Sequence, residues 1–334
     1  MSARETEVVV VTGASAGVGR AVAHAFAKHG ARLGLLARGQ ESLETVVEEV
    51  RALGGEATAL PADVADFEQV QAAAELVRER YGEIDVWVND AMATIFAPVE
   101  QITPQEFERA TRVSYLGTVH GTMVALKHMR AQGRGTIVQV GSALSYRAIP
   151  LQSAYCGSKF AVRGFTDSLR TELLHEKSSV WVTMVQLPAV NTPQFNWCRT
   201  RLPDHPQPVP PIYQPEVPAE AVYYAAHHRR REIWVGFGAV KAIVGNKLAP
   251  RIADWYLART GYDSQQVEDE PVSDHRPDNL FDPVPSKAAT HGDFDAKAKA
   301  RSPLTWASLH RGAVAAGSAL TLVGAAAGFA RQRR

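Results

Sequence analysis

Val8-Val9-Val10-Val11-Thr12-Gly13-Ala14-Ser15-Ala16-Gly17-Val18-Gly19 is the stretch that decides how this chain folds. Four consecutive valines read as a short strand buried on both faces. The glycines after it read as a turn that opens directly into a helix over 18–29. Gly13 permits the tight turn, Gly17 lets the backbone approach a pyrophosphate, and Gly19 lets the helix pack close to the strand. The helix N-terminus then offers free N–H groups and the positive end of its dipole to phosphate. The spacing is G-x-x-x-G-x-G rather than the commoner dinucleotide spacing G-x-G-x-x-G.

Outward from this turn the chain alternates. Val8–Val11, Leu33–Ala37, Ala57–Leu60, Val86–Val88, Thr136–Val140, Val180–Leu187 and Glu232–Val235 read as buried strands. Segments near 18–29, 40–53, 66–80, 104–130, 156–175 and 218–228 read as amphipathic helices. Such alternation predicts an α/β fold, a doubly wound parallel sheet of seven strands with helices on both faces. The domain is expected to span 1–260.

Two regions break the pattern. Seven prolines between Pro203 and Pro218 argue for a stiff extended loop without a helix. Residues 261–303 are polar and turn-rich, and read as a linker or loosely packed arm. Residues 304–334 form an Ala/Gly-rich end in which Gly312–Ala330 carries no charge and is flanked by arginines. A membrane-associated helix, a helix packed on the domain and an unordered end all remain open for it. The start of the chain shows no secretory signal, and Cys156 and Cys198 are too few for a disulfide framework. A cytoplasmic setting is expected, with the C-terminal run as the candidate membrane contact. A net charge of +1 on 334 residues gives no general attraction to nucleic acid, and the short basic cluster His227–Arg231 reads as a solvated helix end.

The second strand ends Leu35-Leu36-Ala37-Arg38, without the carboxylate that would hold a ribose 2′-hydroxyl. Arg38 instead offers a guanidinium suited to a 2′-phosphate, so NADP(H) is expected in preference to NAD(H). Asp63, after the third strand and before Val64, is placed to accept from an adenine amino group. Tyr155 and Lys159 lie four apart at the start of a helix, on one face. A phenol is a poor acid–base catalyst at neutral pH, and a neighbouring ammonium is expected to lower its pKa. Ser142 ends the fifth strand, where strand ends line a ligand crevice, and its hydroxyl can reach the same substrate oxygen.

On these motifs the chain resembles the short-chain dehydrogenase/reductase family over roughly residues 6–260, a single Rossmann-type domain. Thr12–Gly19 (with Ser15, Ala16 and Val18) matches the family's cofactor turn, Asp63 its adenine contact, and Asn89 with Ala91 the segment after its fourth strand. The resemblance implies that Tyr155 gives and takes the proton, that Ser142 orients the carbonyl, and that Lys159 binds the nicotinamide ribose. It implies that the Val190 backbone and Thr192 hold the carboxamide, with Pro188 in the same cofactor-binding loop. Three departures stand out: Asn89-Asp90-Ala91-Met92 where the family has Asn-Asn-Ala-Gly, Ser114 where it has a fourth catalytic asparagine, and Pro188-Ala189 for Pro-Gly. Ser114 is expected to support a weaker, water-mediated proton relay to Lys159.

The expected pocket wall, Met92, Phe96, Leu144, Arg147, Gln152, Ala189 and the loop from Trp197 to Pro218, is mostly apolar. It points to a bulky hydrophobic ketone, aldehyde or alcohol as the small-molecule partner. The family resemblance also suggests a homodimer or homotetramer through the helices at 104–130 and 156–175. The competing reading is a dinucleotide-binding scaffold without turnover, with Asp90, Met92 and Ser114 as traces of lost activity.

Overall fold

The computed structural model describes residues 6–273, 275–284, 288–312 and 314. Its main sheet contains β1 (Val8–Thr12), β2 (Arg32–Ala37), β3 (Glu56–Pro61), β4 (Val86–Asn89), β5 (Gly135–Ser142), β6 (Val180–Leu187) and β7 (Glu232–Trp234). The strand order is β3-β2-β1-β4-β5-β6-β7, and all pairings are parallel. The expected doubly wound seven-stranded Rossmann sheet is therefore present. The order reverses between β1 and β4, and the loops leaving these two strands part there to open a crevice.

The sheet is buried on both sides because its strands are apolar at successive positions rather than alternate ones. One apolar layer joins the sheet to α1 (Gly17–Ala27), α2 (Gln40–Ala52) and α8 (Glu216–His227). The other joins it to α3 (Phe67–Tyr81), α4 (Pro104–Thr111), α5 (Gly117–Gln132) and α6 (Ser153–His175). A smaller cluster gathers Phe96, Leu151, Phe195, Cys198, Leu202, Ile212 and Phe294, with Phe195 in the short helix α7 (Gln194–Trp197).

The helix expected over 104–130 is not continuous. Thr103 and Glu106 form a reciprocal cap with Pro104 in the first turn, α4 runs to Thr111, and a π-helical turn over Arg112–Leu116 precedes α5. The proline-rich stretch is extended only to Pro215. Pro218 falls in the first turn of α8, where a missing N–H breaks no intrahelical bond. Two further helices follow β7: α9 (Gly236–Leu248) and α10 (Pro250–Thr260).

The expected loose arm is instead packed. Gln266–Pro271 pairs antiparallel with Asp204–Pro206. Leu280 is fully buried in the α3–α6 layer. Phe294 meets Phe195 edge-on at 5.9 Å, and Asp278 pairs with Arg199 at 2.7 Å. The amide of Asn191 donates to Asp295 at 2.8 Å. The arm leads into α11 (Pro303–Leu309), capped by Ser302 and tied to α9 where Gly236 N–H donates to the Thr305 hydroxyl. Residue 260 is thus no boundary of packing. The uncharged run Gly312–Ala330 lies almost wholly outside the described residues.

Candidate active site

A cavity of about 770 Å3 opens at the C-terminal ends of β1, β4, β5 and β6 and reaches from the glycine turn to Ser142, Tyr155 and Lys159. The turn has the close approaches that its glycines suggest. Gly13 has φ 73°, and a Cβ there would lie 2.8 Å from the Ala91 Cα. A Cβ on Gly19 would lie 2.3 Å from the Gly13 carbonyl oxygen, so α1 sits against β1 only because that atom is missing. The Thr12 hydroxyl accepts the amides of Asp90 and Ala91 at 3.1 and 3.2 Å, joining the loops after β1 and β4. Gly17 packs against Thr192, which brings the loop after β6 to the same place.

At the other end, β5 delivers Ser142 and α6 delivers Tyr155 and Lys159. The Ser142 hydroxyl accepts from Leu144 N–H at 3.1 Å and neighbours the Tyr155 phenol. Lys159 is buried, donates to the Val140 carbonyl at 2.7 Å, and holds its ammonium 5.5 Å from the centre of the Tyr155 ring. Burial pushes Lys159 down to about 8, against the opposing pull of Asp90. Burial likewise pushes the Asp90 carboxyl up to about 7, although Lys159 and the Gly19 N–H favour its charged form. The expectation of an acidified Tyr155 is not met: burial raises its pKa above the ordinary phenol value and outweighs the neighbouring Ser142 hydroxyl. The phenol is therefore protonated at neutral pH.

Gly13, Ser15, Ala16, Gly17, Val18, Arg38, Asp63, Val64, Ala91, Ser142, Tyr155, Lys159, Pro188, Val190 and Thr192 all line this one cavity. The anticipated apolar wall, Met92, Phe96, Leu144, Arg147, Gln152, Ala189 and Trp197, lines it as well. Gly19, Asn89 and Ser114 do not. Gly19 lies behind the turn. The Asn89 amide donates to Thr122 at 3.1 Å and to Gln139 at 2.9 Å and accepts from Trp87 at 2.9 Å, within a buried network between β4, β5 and α5. Its side chain braces the sheet. The Ser114 hydroxyl donates to the Ala93 carbonyl at 2.8 Å and accepts the Ala93 N–H at 2.9 Å. These two bonds use its donor and one of its two lone pairs, so the hydroxyl anchors the loop after β4.

The arm completes the wall in a way that no motif announced. Arg38 donates to the carbonyls of Phe281 at 2.6 Å and Asn279 at 2.5 Å, and burial beside Arg109 lowers its pKa. Asp63 pairs with Arg109 at 2.6 Å, and Arg109 also donates to the Leu280 carbonyl. Ala16 gives α1 no side-chain cap, and Gly17 N–H donates to the Ala289 carbonyl at 2.9 Å. Asn279, Pro283, Val284 and Ala288 line the cavity from this side, while Ala242, Asn246, Ile252 and Tyr256 of α9 and α10 line its mouth. These contacts are made by backbone carbonyls and by helices without a clear apolar stripe, which leave little trace in a sequence.

Residues 7–201 match the family model described as short chain dehydrogenase. The chain belongs to the short-chain dehydrogenase/reductase family. A relative in Bacillus subtilis, an uncharacterized oxidoreductase named YxnA, is 33% identical over 280 residues, 83% of this chain and 78% of that protein. A fatty acyl-CoA reductase of Acinetobacter baylyi is 29% identical over 239 residues, 71% of this chain and 78% of that one. Among solved structures, an alcohol dehydrogenase of Thermococcus sibiricus complexed with 5-hydroxy-NADP is 29% identical, with a TM-score of 0.61 over 69% of this chain and 96% of that one. This short-chain dehydrogenase/reductase is an oxidoreductase of the CH–OH/C=O couple that uses NAD(P) and a small-molecule substrate. Among its described residues, no helix is long and apolar enough to cross a membrane.

Proposed function

We propose that this protein is an NADP(H)-dependent oxidoreductase that interconverts a bulky, apolar ketone or aldehyde with its alcohol. The observation that carries the reading is one continuous cavity with the phosphate-binding turn at one end and the Ser142–Tyr155 pair at the other. NADPH would lie along this cavity, its phosphates at the turn formed by Gly13, Ser15, Ala16, Gly17 and Val18. Its ribose 2′-phosphate would lie near Arg38, its adenine near Asp63 and Val64, and its carboxamide near Pro188, Val190 and Thr192. When bound, the cofactor supplies or accepts the hydride.

The chain's own groups handle the proton. Tyr155 donates its phenolic proton to the carbonyl oxygen, and Ser142 donates a hydrogen bond to the same oxygen. Lys159, held to Val140, keeps a positive charge beside the phenol and stabilises the phenolate left behind. The apolar wall and the mouth formed by α9 and α10 support a hydrophobic substrate. The fatty acyl-CoA reductase relative accords with that class. Arg38 and the NADP-type ligand of the Thermococcus sibiricus structure support the choice of NADP(H) over NAD(H). Exposed Phe107, Met123, Phe160 and Leu174 on α4, α5 and α6 support assembly of copies through these helices.

The test is single-turnover hydride transfer from NADPH and NADH to a panel of carbonyls, comparing wild type with Tyr155→Phe. Tyr155→Phe is expected to bind NADPH normally and to slow transfer by about 10²–10⁴-fold. Tight NADPH binding without transfer to any carbonyl would favour a scaffold instead.

A further inference from the structure

The hairpin formed by α9 and α10 has an unusual surface. α10 is a complete helix with no buried residue. A short helix in water draws most of its stability from packing an apolar face, so α10 is incomplete as it stands. Three of its exposed side chains are large and apolar or aromatic: Ile252 is 69% exposed, Trp255 61% and Tyr256 53%, and Leu248 at the end of α9 is 80% exposed. Phe237 and Val244 extend the patch along α9. Contiguous exposed apolar surface of this kind marks a contact with something else.

The charges around the patch select among candidates. Lys241, Lys247, Arg251 and Arg259 stand against a single carboxylate, Asp254, for a net of +3 over 236–260. Asp254 is itself paired with Arg147 at 2.6 Å. The Arg259 guanidinium lies over the Trp255 ring at 3.4 Å, and Lys247 lies 5.7 Å from the Trp234 ring. Aromatic and aliphatic groups with cationic side chains beside them, one stacked on Trp255, suit a headgroup–acyl boundary. A second copy would bring an equal positive charge to the same place.

Two further observations agree. Ile252 and Tyr256 belong both to this patch and to the cavity lining, so the cavity opens at the patch. α11, which packs on α9 through Gly236 and Thr305, leads directly into the uncharged run Gly312–Ala330. We propose that the face formed by α9 and α10 docks on an anionic lipid surface, with the mouth of the cavity against the bilayer, so that apolar substrates enter and leave through the lipid boundary. Docking needs no redox chemistry. Only the route for substrates rests on the reading above.

The experiment uses the full chain with phosphatidylcholine vesicles, with and without phosphatidylglycerol, in sedimentation assays at low and high salt. Wild type is expected to sediment with the anionic vesicles, and less so at high salt. Leu248→Glu/Trp255→Glu changes two exposed residues outside the cavity lining, so reduction of a water-soluble carbonyl and thermal unfolding are expected to match wild type. The same variant is expected to lose vesicle binding by about tenfold or more, since it removes two inserted groups and adds two repelled ones. Arg251→Glu is expected to weaken binding to the anionic vesicles alone. Three results would each overturn the proposal: no binding by wild type, undiminished binding by the double variant, or no vesicle binding together with a wild-type dimer that the double variant dissociates. The second would place the contact elsewhere, and the third would assign the face to a second copy. Inactivity of wild type toward every carbonyl, with vesicle binding intact, would count against the redox reading and leave the docking face standing.

Discussion

Leu280→Ala measures whether the C-terminal arm belongs to the folded domain. Leu280 is fully buried in the layer built by α3, α4, α5 and α6, and its carbonyl accepts from Arg109, which also holds Asp63. Removing three carbons from a rigid apolar site costs about 2–5 kcal/mol, the transfer term plus the cavity left behind. A leucine in a solvated linker would cost less than about 0.5 kcal/mol on the same change. Taking about 3 kcal/mol, and about 2–4 °C per kcal/mol for a domain of this size, the expected fall in Tm is about 6–12 °C. Circular dichroism at the helix band follows the melt, and trypsin cleavage after Arg276 or Arg301 follows the arm itself. A single transition shifted downward, with the arm cleaved only as the domain unfolds, fits the packed arm. A Tm within about 1 °C of wild type, in the range of a surface change, would refute the reasoning.

Arg38→Ala is expected to raise the Kd for NADPH by about 10–100-fold and to leave NADH nearly unchanged, measured by fluorescence titration, because it removes charge-assisted bonds to one phosphate. Glu106 is almost wholly buried, accepts from Arg199 at 2.6 Å and Arg201 at 2.7 Å, and has its pKa lowered from 4.5 to about 2. Its stabilisation is complete above the unfolded value and fades as pH falls from 4.5 toward 2. Glu106→Gln is therefore expected to cost about 3 kcal/mol in urea unfolding at pH 7, with the gap to wild type closing in acid.

The glycine turn, the seven buried strands and the Ser142, Tyr155 and Lys159 positions are legible because each rests on a local rule. Val8–Val11 cannot be solvated, Gly13 and Gly19 have no room for a Cβ, and residues four apart on a helix share a face. The arm was not legible, for physical reasons. Leu280-Phe281 and Phe294 are short apolar interruptions in polar surroundings, without a period to read, and the groups that hold Arg38 and Gly17 are backbone carbonyls that any residue provides. For Ser114, spacing identifies a position but not its hydrogen-bond partners. The π-helical turn over Arg112–Leu116 points its hydroxyl at Ala93. For Tyr155, an ammonium four residues away is visible in the sequence but desolvation is not, and desolvation is the larger effect here.

Asp90 gives the cleft a property that can be measured without any substrate. It sits where the family has asparagine, lines the cavity, and has a carboxyl pushed up to about 7, beside Lys159 at about 8. A dinucleotide brings several negative charges into this cavity. Nearby anions favour the protonated form of both groups, so both pKa values rise on binding. Protons are then taken up in the window that begins near pH 7 for Asp90 and near pH 8 for Lys159, and NADPH affinity falls as pH rises through it. Calorimetric titration of NADPH at pH 7.5 in buffers of different ionisation enthalpy should report net proton uptake. Asp90→Asn cannot take up the first proton, and its uptake should shrink and move with Lys159 alone. That lysine, deprived of its carboxylate partner, should titrate below its value in wild type. Equal enthalpies in all buffers for wild type, or uptake unchanged in Asp90→Asn, would show that Asp90 is not the group that responds to the cofactor's charge.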